Sequence, residues 1–164
     1  MQTGKDSSSS AARPSSVFIR ETELQDILEL SVTMRQEDQD EIWHLARKTP
    51  EEALMQAYQT CEFNRTVLLD GKVVCIFGCG GTKGEAGIPW MLASPLLTKI
   101  KKTLLRDCRK WVEEMSEGYT FLYNVAWSKN IAHVQWLHWL GFDIRPAIPM
   151  GPDGELYHEF FKVI

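Results

Sequence analysis

Two hydrophobic periods alternate along the chain from Val17 onward, and each switch between them marks an element. Val17-Phe-Ile-Arg20 reads as a short strand. Leu24, Ile27, Leu28 and Val32 then fall at helical spacing. Thr49-Pro50, a cap residue followed by proline in the first turn, opens a second helix over 51–60, and Gln36 to Glu41 between the two either continues a helix or bends. Thr66–Leu69 and Lys72–Phe77 read as strands joined through Asp70-Gly71, a two-residue hairpin signal. Gly78 to Gly84 is a glycine-rich turn into a fourth strand, 86–92, interrupted by Pro89. Ser94-Pro95 opens the longest helix, in which Leu97, Ile100, Leu104, Cys108, Trp111 and Met115 make one apolar stripe that Gly118 ends. A strand at 121–125, an asparagine cap at Asn130, a helix over 131–140 stopped by Gly141, a strand at 142–145, a turn over 149–154 and a strand at 156–163 complete the series. The predicted order is β-α-α-β-β-β-α-β-α-β-β.

Met1 to Ser16 holds six serines and almost nothing to bury, and reads as a disordered tail, which leaves 17–164 as a single domain. A total of 164 residues, 44% hydrophobic and 24% charged, supplies one adequate core and not two. The formal charge of -4 argues against a surface built throughout for nucleic acid. No apolar run approaches the roughly 20 residues that span a bilayer, and the N-terminus lacks a signal-peptide core, so a soluble intracellular product is expected. Charge is nevertheless uneven. Glu21 to Glu62 carries eleven acidic and three basic residues, which read as a solvated helical surface.

Candidate chemistry is sparse. Cys75 and Cys79 share one strand face at a spacing unlike a zinc knuckle, so both are expected to be small buried side chains, and no metal site is expected. The histidines at 133 and 138 are five apart and miss the i, i+4 metal pair. The glycines at 78–84 lack the Gly-Lys-Ser/Thr and the following helix of a phosphate loop. Over residues 99–110 of the long helix, Lys99, Lys101, Lys102, Arg106, Arg109 and Lys110 stand against one acid, Asp107. Of these, Lys99, Lys102, Arg106 and Arg109, with Trp136 and Trp139, are the candidate partner contacts, an acidic protein surface being favoured over nucleic acid.

The stretch from Asn124 through Asn130 to Leu140-Gly141-Phe142, taken with the element order, resembles the Gcn5-related N-acetyltransferase (GNAT) fold. That resemblance implies an α/β (α+β) GNAT-like domain with a mixed central sheet of six to seven strands and about four helices. It also implies where acetyl-CoA would bind: the loop after the fourth strand and the first turn of the next helix, whose free N–H groups hold pyrophosphate. The family pattern there is Gln/Arg-x-x-Gly-x-Gly/Ala. This chain has Leu92-Ala-Ser-Pro-Leu-Leu-Thr98, without glycine and with Pro95 removing one donor. Leu92, Ser94, Thr98 and Asn130 remain the candidate cofactor contacts. Leu137 occupies the position of the tyrosine that many family members use as the acid, leaving His138 as the substitute and Glu85 as the nearest candidate base.

A narrower similarity covers roughly 75 residues of the C-terminal half. The basic helix from Leu97, then Tyr119 to Trp127 and Asn130 to Gly141, is similar to the internal virion protein A family of short-tailed bacteriophages. It implies an accessory or internal virion protein acting through contacts with other phage or host proteins, in the host cytoplasm during infection and in the virion interior. No cofactor is then expected. The alternative is a divergent acetyl-CoA-dependent N-acetyltransferase acting on a small-molecule or protein amine.

Overall fold

The structure, a computed structural model, describes residues 16–164. The tail expected over 1–16 therefore lies outside the described residues, except Ser16, which exchanges hydrogen bonds with Asp70. One eight-stranded sheet runs in the order β1 (Val17–Glu21), β2 (Phe63–Leu69), β3 (Lys72–Gly81), β4 (Ala86–Ala93), β5 (Phe121–Trp127), β8 (Glu155–Val163) and β6 (Asp143–Ile144), with β7 (Ile148–Met150) also paired to β8. All pairings are antiparallel except β4 with β5. The helices are α1 (Leu24–Thr33), α2 (Gln36–Ala46), α3 (Pro50–Thr60), α4 (Lys101–Ser116) and α5 (Ile131–Trp139). No helix among the described residues is long and apolar enough to cross a membrane.

Local signals explain much of this. Asp70 and Gly71 both take positive φ, as a type I′ turn requires, and pair β2 with β3. Thr49 and Glu52 form a reciprocal capping box around Pro50. Gly141 in the left-handed region lets Phe142 N–H reach Leu137 O and Gly141 N–H reach His138 O, a Schellman closure of α5.

The two sheet faces have separate cores. Leu104, Cys108, Trp111 and Met115 of α4 and Leu137 and Leu140 of α5 pack on Val67, Cys75, Phe77 and Cys79. Ile27, Leu30 and Leu54 from α1 and α3 pack on Leu68, Val73 and Ile76 on the other face.

The structure corrects several expectations. Three helices, not two, precede β2, because Gln36–Ala46 is a helix in its own right. The inward face of α1 is Ile27, Leu30 and Met34, whereas Leu24, Leu28 and Val32 are exposed. The segment after β4 opens as a 3-10 turn, Pro95–Ile100, before α4 begins. Gly78, Gly80 and Gly81 lie within β3, and the 149–154 turn is shortened by β7. Asn130 precedes α5 but does not cap it with its side chain, which points instead toward α2.

Pro89 does not interrupt β4; it decides what β4 does next to β5. The two strands pair at Ala86↔Phe121 and Gly87↔Leu122 and then part. Pro89 has no N–H to offer the next rung. The Asn124 carboxamide enters the gap instead: its Nδ2 donates to Pro89 O at 2.8 Å, and its Oδ1 accepts from Val125 N–H at 2.8 Å. A side-chain amide thus stands in for a ladder bond, and the strands stay apart beyond it.

Candidate functional site

Beyond Asn124 the parted strands enclose a mainly apolar cavity of about 240 Å³. Trp90, Met91 and Leu92 of β4, Val125 of β5, Trp111 and Met115 of α4, and Trp136 and Leu137 of α5 line it, with Glu41 and His133 among its few polar groups.

A buried polar network closes one side of this cleft. Glu41 accepts from Asn130 Nδ2 at 3.0 Å and from Trp127 N–H at 3.1 Å, and His133 Nδ1 lies 3.8 Å from it. Burial works to raise the Glu41 pKa, but His133, Asn130 and the Trp127 amide outweigh it and hold the carboxyl below its ordinary value. One turn earlier, Asp38 is 2% exposed, pairs with Arg35 at 2.8 Å and accepts from Ala93 N–H at 2.9 Å. Its desolvation is the larger influence and raises its pKa. Tyr157 Oη donates to Glu41 O, and the Gly151–Gly154 turn holds the end of α2 through Asp153 to His44 and Arg47. Spacing of three puts Asp38 and Glu41 on one face of α2, toward the end of β4 and the start of α5.

The end of β4 is tied down. Ala93 donates to Asp38 and its carbonyl accepts from Arg35 N–H at 2.9 Å. Ser94 N–H bonds Val74 O, and the Ser94 hydroxyl, 1% exposed, donates to Val73 O and Val74 O. Pro95 has no N–H, and Leu97 N–H turns back to Ser94 O. The peptide groups of Ala93 and Ser94, and the serine hydroxyl, are all engaged with the protein itself.

The residues singled out from sequence do not form one constellation. Leu92 lines the cavity. Ser94 faces the core, exposed Thr98 bonds Pro95 O, and buried Asn130 belongs to the Glu41 network. His138 and Glu85 are exposed and do not line the cavity, Glu85 sitting in the β3–β4 hairpin. Trp136 turns inward to the cavity, whereas exposed Trp139 carries the Arg109 guanidinium 4.3 Å over its ring. Lys99, Lys102, Arg106 and Arg109 are all exposed.

Sequence reasoning missed Asp38, Glu41 and His133. The acidic run 36–41 looked like wet surface. The available signals were its i, i+3 carboxylates followed by the apolar Ile42 and Leu45, and a histidine three residues after Asn130.

No protein-family model and no curated protein matches the chain. Solved structures do. An acetyltransferase of the GNAT family from Streptococcus pneumoniae is 18% identical with a TM-score of 0.58, over 91% of this chain and 99% of that one. Ard1 from Thermoplasma volcanium is 13% identical with a TM-score of 0.66, over 90% and 97%. The aminoglycoside acetyltransferase AAC(6')-Ib, in a complex with ribostamycin and coenzyme A, is 16% identical with a TM-score of 0.63, over 90% and 93%. The chain therefore has the mixed α/β fold of the GNAT acetyltransferases.

Proposed function

We propose that this chain is a GNAT-fold accessory or internal virion protein of a short-tailed bacteriophage, working through protein contacts and without acetyl transfer. The observation that supports this most is the junction of β4 with the following helix. A pyrophosphate needs several free N–H groups converging at a helix start. Here Ala93 and Ser94 give theirs to Asp38 and Val74, Pro95 has none, and the first turn is 3-10. An extended amide arm between the parted strands would also pair with the β4 edge as an added strand does. Ala93 is occupied there by Arg35 and Asp38, and Pro89 O by Asn124. Leu137, 5% exposed and part of the α5 closure, has no proton to give a departing thiolate. The phage setting comes from the sequence similarity of the C-terminal half.

One observation favours a second reading, a divergent acetyl-CoA-dependent N-acetyltransferase for a small-molecule or protein amine. The cleft still encloses a cavity with Glu41 and His133 on its wall. Titration calorimetry with acetyl-CoA and CoA separates the two. The first reading expects no heat of binding at millimolar ligand, and micromolar affinity would sink it. Mass spectrometry of purified phage particles tests the setting, where absence of the chain removes the virion role.

A further inference from the structure

Charge is segregated across the sheet. Helices α1 to α3 cover one face, and the Glu21 to Glu62 region to which they belong carries eleven acids against three bases. All three bases are engaged: Arg35 with Asp38, Arg47 with Asp153, and Lys48 with the Gln56 carboxamide. Glu37 and Glu51 are exposed there, Asp40 is half-buried and bonded only to Gln36, and none of the three has a cation within ion-pair distance among the described residues. Helix α4 covers the opposite face and presents exposed Lys99, Lys101, Lys102, Arg106, Arg109 and Lys110 at its start and along its outer side. Arg106 pairs with Asp107, and Lys110 lies 3.9 Å from Glu114. Lys99, Lys101, Lys102 and Arg109 have no carboxylate within ion-pair distance among the described residues. Each face also exposes apolar surface: Leu28, Val32 (82% exposed) and Trp43 on the acidic side, Leu105 and Trp139 on the basic side.

We propose that the basic α4 face of one copy docks on the acidic α1–α3 face of another, so that the chain self-associates head to tail. The inference rests on the protein-contact reading and names the partner. Opposite charge selects and orients the pairing, and the apolar side chains on both faces provide area to bury. The two patches are different surfaces on opposite sides of one sheet, so the contact is heterologous, and each added copy leaves both patches open at the ends. A net charge of -4 does not oppose this, because the Debye length of about 10 Å at 0.1 M salt makes the facing patches, rather than the whole molecule, decide the interaction.

Sedimentation velocity on the full chain, at about 25 mM and about 300 mM salt, provides the test. The expected result is a weight-average mass that climbs with protein concentration to more than twice the monomer at low salt and returns to the monomer at high salt. Lys99→Glu/Lys102→Glu/Arg106→Glu makes both faces acidic, and Glu37→Lys/Asp40→Lys/Glu51→Lys takes the α1–α3 region from eleven acids against three bases to eight against six, close to neutral. Each variant alone, checked for folding by circular dichroism, sediments as a monomer, and mixing the two restores association. A monomer at both salts, or association that survives either set, overturns the proposal. So does a monomer that instead binds a single-stranded oligonucleotide through the α4 cations, which assigns that face to nucleic acid. A monomer still found in purified particles removes self-association while leaving the accessory reading intact; CoA binding removes that reading whatever the sedimentation.

Discussion

Glu41 is a carboxylate deep in the wall of an otherwise apolar cleft, tolerated because Asn130, the Trp127 amide and His133 surround it. Its pKa is lowered on folding, so the unfolded chain binds the proton more readily. Its stabilising contribution is therefore complete above the ordinary carboxylate range and is lost as pH falls through the depressed folded value. Asp26 has the same sign: burial pushes its pKa up, but Arg20, the Glu23 amide and Thr66 together pull it below the ordinary value. Asp38, raised by burial, has the opposite sign and loses stability as pH rises from the ordinary carboxylate value toward its own. Thermal unfolding followed by circular dichroism should show a midpoint that drops on acidification below about pH 5, with a shallower drop in Glu41→Gln. Asp26→Ala should cost about 3 kcal/mol at neutral pH in urea titrations, since it removes the buried carboxylate that pairs with Arg20 and accepts from the Glu23 amide and the Thr66 hydroxyl. None of these roles was legible in the sequence. The partners of Glu41 stand some 90 residues away at Asn130 and Trp127, and Asp38 accepts from Ala93, 55 residues on; a run of acids carries no mark of which members the tertiary fold will enclose.

Elements were legible where their cause is local. The Asp70-Gly71 turn, the Thr49 cap with Pro50 and the Gly141 stop each act within a few residues, and each formed where the sequence placed it. Helix α1 was legible as a helix but not in its orientation. It carries apolar residues on two faces, and only packing on Leu68, Val73 and Ile76 selects Ile27, Leu30 and Met34 as the inner one. Leu30→Ala should accordingly cost about 2–5 kcal/mol, whereas Val32→Ala should stay within about 0.5 kcal/mol, both by chemical denaturation. The 3-10 start at Pro95 was not legible, because it depends on Ser94 being drawn into the core by the Val73 and Val74 carbonyls. Ser94→Ala removes that hydroxyl and should destabilise by about 1–2 kcal/mol without altering the response to CoA, measured by urea titration and calorimetry.

Across the whole molecule, the fold could be read from residue patterns, while the cleft and its ionised wall could not. Both arise from strands distant in sequence, β4 and β5, meeting α2. Asn124→Leu should cost about 2 kcal/mol in denaturant titrations, since it leaves Val125 N–H and Pro89 O without their bridge. That bridge also acts as a gauge. One carboxamide spans the distance between the two strands, so the length of a single side chain sets how wide the sheet opens. Homologous chains that keep proline at position 89 but carry a shorter or longer residue at 124 would have apertures of different calibre, and so admit guests of different size without any change in the surrounding scaffold.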